Sequence, residues 1–436
     1  MSFRVDLPVQ VDPFALHCRA PERYPFLMQS VARHAMTGRF DLLLGFPERV
    51  LEGASVLQAL PEVYTAERIA RSPEPDLPFV GGWFLMLGYE AASHIEPSLR
   101  LPASPFALPD AIAVRCPAAL IVDRERGITS LYVERDPAQM RTLQRDIEQL
   151  LEQPPPQLSP VSISRIEEDP PVRFTDAVGR ALDYLRAGDI FQANLSREWR
   201  LLLRDGDYRS VYASLRRHNP APFAGLVAWQ GSAIVSSSPE RLVQADGEWV
   251  QTRPIAGTRP RGTAPTEDEA LRLHLLGNLK ERAEHIMLID LERNDLGRIC
   301  VPGSVEVSEL MAVESYAHVH HIVSNVRGRL RPDVGPADVL RALFPGGTIT
   351  GCPKVRAMQI IAELEGVGRG PYTGSIGYLS RCGRLDSNIL IRSLVCEGQR
   401  VAFRAGAGIV ADSIAAEELA ETRAKARGLL LALGAA

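Results

Sequence analysis

The sequence predicts a mixed α+β fold built on antiparallel sheets, and three observations carry that expectation. Apolar runs of strand length recur along the whole chain: "FDLLLGF", "WFLMLGY" and "AALIVD" early, "APFAGLVAW", "AIVSSS", "TGSIGYLS", "SNILIRSLV" and "VAFRAGAGIV" later. Helical spacing of apolar residues marks 140–153, 175–188, 267–293, 336–344, 353–364 and 415–433. The strands outnumber the places that a regular β-α-β alternation offers, which argues against a doubly wound parallel sheet.

The elements fall into two stretches. The proline-rich "LEQPPPQLSP" and "EEDPP" favour extended backbone. They read as a surface connection between an N-terminal part, 1–165, and a larger part, 172–436, packed together as one unit. In the second part, "TDAVGRALDYLRAG" closes on a glycine, as helices do, and leads into the strand-like "DIFQANLSREWRLLL".

With 436 residues, 45% of them apolar, the chain can bury a substantial core. A formal charge of -4 and scattered arginines leave no basic stripe for nucleic acid. No apolar run approaches the ~18 residues of a membrane span. The opening "MSFRVDLPVQVDP" lacks the pattern of a secretion signal, so a cytoplasmic protein is expected. The six cysteines form no C-x-x-C pair and read as reduced packing residues.

Two helices carry carboxylates at matched spacing. "LKERAEHIMLIDLERND" places Glu281 and Glu284 on one face, with Leu279, Ala283, Ile286 and Met287 in other directions. "DSIAAEELAETRAKARGLLLAL" does the same with Glu418 and Glu421, after an Asp412-Ser413 pair suited to an N-cap. Each pair alone reads as a solvated face through the i,i+4 partners Lys280 to Glu284, Glu281 to His285 and Glu421 to Lys425. If the faces meet, four carboxylates without imidazole or thiolate suit Mg²⁺ and an anionic substrate.

Between these helices, "FPGGTITGCPKVRAM" and "GRGPYTGSIGYL" are glycine-rich turns that bring backbone N–H groups close to whatever occupies a site. No G-K-[ST] follows, so neither is a P-loop. Arg392 in "ILIRSL" is a lone charge in an apolar strand that either reaches solvent or meets a buried carboxylate. His321 in "HVHHIV" suits either a polar edge or proton transfer, and Glu240 in "SSSPERL" either pairs with Arg241 or acts as an acid/base. The stiff, cationic "TRPIAGTRPRG" carries Arg253 and Arg259 as fold or anion-field residues around Ala256. The residues alone point to a Mg²⁺-dependent enzyme acting on a small dianion.

These motifs, in this order, resemble the chorismate-utilising enzymes, which include anthranilate, aminodeoxychorismate, isochorismate and salicylate synthases. The resemblance runs from about 174 to 430 through "GDIFQANLSR", "SSSPERL", "QTRPIAGTRPRG", "KERAEHIMLIDLERNDLGR", "HVHHIVS", the two glycine-rich turns and "AGAGIVADS". It implies two mostly antiparallel β-sheets packed as a sandwich with helices outside. It also implies Mg²⁺ on Glu284 and Glu421, with Glu281 and Glu418 holding its waters. Tyr378, Arg392 and Lys425 would bind substrate carboxylates with backbone N–H groups at Gly406 and Gly408. Glu240 would protonate the leaving 4-hydroxyl, and His321 and Thr348 would line the ring.

Water-using members resemble this chain except for a lysine base where Gln192 stands, and an amide cannot take a proton from water. Ammonia is therefore the expected nucleophile, supplied by a separate glutaminase subunit. "QANLS", "LERNDLGR", "VHHIVS", "FPGGTITG" and "GSIGY" look like the aminodeoxychorismate synthase component I branch, which serves 4-aminobenzoate and folate biosynthesis. Ala256 points instead to anthranilate synthase component I, because some members of the first branch have a lysine nucleophile there. A catalytically silent regulatory subunit is the non-enzymatic alternative. "FLMQS" around Ser30 is similar to an effector segment of the family and reads equally as a short apolar strand start, so the N-terminal part either offers an aromatic amino-acid site or uses this segment for packing alone.

Overall fold

The apolar runs pair into two sheets whose inner faces bury one another. The computed structural model describes residues 2–32, 38–154, 156–262, 264–315 and 319–435, with side chains at all of these except 258–260, 280 and 319. Among the described residues the sheets have 12 and 10 strands. Neighbouring strands run antiparallel, for example Gln192–Asp205 with Arg400–Ile409 and Gly82–Leu87 with Ser375–Ser380. The layer between the sheets is Phe26, Leu44, Ile234 and Val395 from one, and Phe84, Met86, Val114 and Ile376 from the other. Phe26 and Phe84 stack with centroids 3.9 Å apart. Helices cover the outer faces: Pro137–Glu152, Tyr208–His218 and Ala415–Ala432 on the larger sheet, Ser55–Glu67, Leu279–Gly297 and Pro336–Leu343 on the smaller.

Both sheets draw strands from both parts of the chain. Phe26–Gln29 pairs with Phe223–Trp229, and Gly82–Leu87 pairs with Ser375–Ser380. Residues 156–161 hold no regular structure, but Ser162–Glu168 rejoins the larger sheet beside Gln192–Asp205. No helix among the described residues is long and apolar enough to cross a membrane.

Three local expectations need correction. The helix expected over 267–293 is two, Pro265–Gly277 and Leu279–Gly297, because Asn278 is extended and its side-chain oxygen accepts from the Glu281 N–H at 3.2 Å. The second of these exposes Leu279 and Ile286 and packs through Leu288, Ile289, Leu291 and Leu296. The Asp412-Ser413 pair does not cap the last helix: its N-cap is Ile414, and the Ser413 hydroxyl accepts instead from the Val410 N–H at 3.1 Å. "SNILIRSLV" is not one strand. Leu385–Asn388 and Ser393–Glu397 belong to different sheets, and Arg392, at φ 50°, makes the turn between them.

A buried ion cluster ties these layers. Arg369, 1% exposed, donates to both Glu365 oxygens at 2.6 and 3.0 Å, and Arg404 donates to Glu365 Oε2 at 3.0 Å. Burial opposes the Glu365 charge, but Arg369 and Arg404 hold its carboxyl below its ordinary range. Glu365→Ala leaves two buried guanidinium groups uncompensated and should cost about 3–5 kcal/mol, read from urea unfolding at pH 7. A loss under about 1 kcal/mol would show that water replaces the carboxylate.

Candidate active site

The break that turns Arg392 out of its strand creates the positive side of the site. The Arg392 carbonyl accepts from the Ser237 N–H at 3.1 Å, which fixes the turn beside the strand leading to Glu240. Glu240 follows that strand and is 5% exposed. Burial pushes its carboxyl up to about 7; the Thr348 hydroxyl opposes this, the Glu292 carboxylate adds to it, and the Ile255 backbone and Lys425 oppose it. Thr348 lies in the short 3₁₀ turn Gly347–Ile349, which sets its hydroxyl beside that carboxyl. An acid that keeps its proton near neutrality in a dry pocket is equipped to donate that proton to a ligand.

His321 is on the strand Val319–Arg329 and is 2% exposed. Burial pushes its imidazole down to about 3; Arg392 adds to that, a backbone hydrogen bond at Gly257 opposes it, and His320 and Lys425 add to it. His321 is therefore neutral at physiological pH. Arg392 faces Glu240 in turn, which counters the burial that lowers its guanidinium. Lys425 donates to the Gly406 carbonyl at 3.0 Å and pairs with Glu421 at 2.7 Å, as expected from its place one turn further along the helix.

Gly406 and Gly408 stand opposite Ser196 and Asn194 in the sheet. A Cβ at Gly408 would strike the Gln192 amide, and one at Gly406 would lie 2.6 Å from the Leu195 carbonyl and 2.8 Å from the Tyr372 hydroxyl. The tyrosine that joins this group is thus Tyr372. Tyr378, six residues on, is elsewhere: it packs on Phe79 between the sheets and lines a cavity of about 510 Å³ with Ser30, Phe223 and Asp386. Strand alternation explains the difference, because Ser375–Ser380 begins after Tyr372 and directs Tyr378 into the sandwich.

Ala256 stands opposite Ile322, next to His321. Its neighbour Gly257 has φ 69° and no room for a side chain, since the Glu281 carboxylate fills that space. Arg253 has the structural role, bonded to Glu309 at 2.8 Å and Glu314 at 2.6 Å. The Arg259 side chain lies outside the described residues.

The four glutamates expected at the metal are divided between two helices. Glu281 and Glu284 are partly buried on Leu279–Gly297, while Glu418 is buried and Glu421 exposed on Ala415–Ala432. His285 is not their solvated partner: it is fully buried and its Nε2 lies 2.7 Å from the Ser324 hydroxyl. Among the described residues no three His, Cys, Asp or Glu side chains are gathered to hold an ion. The donor chemistry nevertheless suits Mg²⁺, which takes one or two protein carboxylates and completes its shell with water and substrate oxygens.

Sequence reasoning passed over Tyr372 and Glu292. Tyr372 sits in the same quoted turn as Tyr378. Glu292 follows Leu291 in "LERND", 5% exposed, and burial with Asp295 nearby pushes its carboxyl up to about 7.

Comparison with known proteins places this geometry. The chain is 42% identical over 410 residues to an anthranilate synthase component I-like protein of Synechocystis, covering 92% of this chain and 84% of the relative. It is 40% identical to aminodeoxychorismate synthase component 1 of Salmonella typhimurium, covering 82% and 78% of the two chains. The crystal structure of anthranilate synthase component I from Streptococcus pneumoniae superposes with a TM-score of 0.80 at 33% identity, covering 91% of this chain and 93% of that one. The model of the chorismate binding enzymes matches residues 28–431, and the chain belongs to that family.

Proposed function

We propose that this enzyme is aminodeoxychorismate synthase component I, converting chorismate and ammonia to 4-amino-4-deoxychorismate with a glutaminase subunit as the ammonia source. The observation that carries the reading is Glu240, a dry acid beside Thr348 with Arg392 and Lys425 facing the same space. Two cations suit a dicarboxylate, and the acid suits a poor leaving group. Gln192, against Gly408, offers no base for water.

In this reading Arg392 and Lys425 hold the substrate carboxylates and Tyr372 borders them. Glu284 and Glu421 would hold Mg²⁺, with Glu281 and Glu418 behind, and the ion would neutralise and orient a carboxylate. The ammonia lone pair forms the C4–N bond as the C4–O bond breaks. The departing hydroxyl takes the Glu240 proton and leaves as water, and a proton from the new ammonium restores Glu240. Direct displacement needs no lysine at 256. The second reading, anthranilate synthase component I, is favoured by Ala256 and by the names of several relatives.

Incubation with chorismate, Mg²⁺ and ammonium salt should yield 4-amino-4-deoxychorismate without pyruvate. Stoichiometric pyruvate with a fluorescent product overturns the assignment in favour of the second reading. Glu240→Gln should lower kcat by about 10²–10⁴ while the protein stays folded by circular dichroism. In the unaltered enzyme, kcat at fixed free ammonia should fall as pH rises above about 7, since a donor works only while protonated. EDTA should abolish turnover and excess Mg²⁺ restore it.

We also propose that the cavity bordered by Ser30 and Tyr378 takes an aromatic amino acid. Calorimetry should detect tryptophan, weakened about tenfold in Tyr378→Ala; no heat at millimolar tryptophan refutes this.

A further inference from the structure

The helix Leu279–Gly297 brings another acid to the pocket, beyond the glutamates of its first turns. The approach depends on Gly347: a Cβ there would lie 2.5 Å from Leu291 Cδ2 and 3.3 Å from Glu292 Oε1. The missing side chain lets the helix and its carboxylate settle against the turn Gly347–Ile349. The Gly347 N–H and the Thr252 hydroxyl both donate to Glu292. The next residue of the turn is Thr348, whose hydroxyl lies beside the Glu240 carboxyl.

The other charges around this arrangement are accounted for. Asp295, on the same helix, is held by Lys354 at 2.5 Å. Lys425 and Arg392 are the cations that act on Glu240. Lys354, the cation that acts on Glu292, is thus already engaged by Asp295, and the Glu292 carboxylate acts on Glu240 in turn.

We propose that Glu292 is a positioning residue for Glu240: it fastens the turn that presents Thr348 and, as a second carboxyl in the same dry pocket, keeps a proton on Glu240 for the leaving hydroxyl. The inference rests on Glu240 being the acid of the proposed function. Two buried carboxyls that repel each other's charge titrate as a pair, so the second proton is lost at a higher pH than either group alone would lose it. Both are raised to about 7 here, and Glu292 contributes to the Glu240 rise.

The test is the pH profile of kcat for chorismate consumption by the Mg²⁺-loaded full chain at fixed free ammonia. Glu292→Gln removes the repelling charge while keeping the shape, so its alkaline limb should move to lower pH by about one unit. Between pH 6 and pH 8 the variant's activity should fall about fiftyfold, against about tenfold in the unaltered enzyme. Glu292→Asp, which keeps the charge, should leave the limb where it is in the unaltered enzyme. If Glu292→Gln does not fold, Thr252→Val takes its place: loss of the hydroxyl leaves Glu292 less often charged and moves the limb the same way by a smaller step. A uniform loss at every pH with an unmoved limb overturns the proposal and leaves Glu292 a packing residue. An unaltered enzyme that does not consume chorismate overturns the function instead.

Discussion

The site depends on an ion cluster that never touches its contents. Glu365 accepts from the Ser196 N–H at 2.8 Å, and Arg369 donates to the Asn194 carbonyl at 2.6 Å and the Ile349 carbonyl at 3.4 Å. Those three contacts hold the strand after Gln192 and the turn after Thr348. Arg404, two residues before Gly406, completes the cluster. Arg369 also precedes Tyr372, with its guanidinium 5.6 Å from that ring. Buried charges are costly, and satisfying them requires several segments to be in register together. One carboxylate thus sets the relative position of four segments that converge on the pocket.

Such a frame allows the pocket itself to hold costly groups. Glu240 is an acid shut away from water, and Arg392 is held at φ 50°, where a non-glycine residue is strained. These features cost stability locally, and the surrounding ion pairs and the sandwich core offset them. The same logic keeps His321 neutral. A charged imidazole would have to be buried beside Arg392 and Lys425, so the pocket carries its positive charge on those two residues and keeps the imidazole neutral.

The fold was legible because its signals are local. Short apolar runs of strand length gave the strands, and the glycine at 188 ends its helix in the left-handed conformation as helix-stop chemistry requires. Glu281 and Glu284 were legible as a pair because i,i+3 spacing is a helix property. What escaped was set by tertiary context. "SNILIRSLV" looks continuous, but the chain changes sheets at Arg392, and no composition signal marks a residue forced into a turn by its neighbours. Tyr372 and Tyr378 share a motif, and their faces are separated only by where the strand begins. Glu292 sits in a charged tetrapeptide that reads as surface; its burial follows from Gly347, far along the chain and necessary to admit it.

The loop "TRPIAGTRPRG" shows how these constraints combine. Arg253 is spent on Glu309 and Glu314, so the cationic appearance of the loop does not translate into free charge at that position. Gly257 is compelled twice, by its positive φ and by the Glu281 carboxylate lying where its side chain would be. Ala256 lies between these fixed points and opposite the residue that follows His321. On the proposed reading, a small residue leaves the approach to the ring to ammonia itself, and the work a covalent lysine would do falls to leaving-group protonation. That shifts the chemical burden onto Glu240: without an attached nucleophile to activate the ring, displacement at C4 is only as easy as the hydroxyl is to expel. A dry acid held protonated near neutrality is the group such a site needs most.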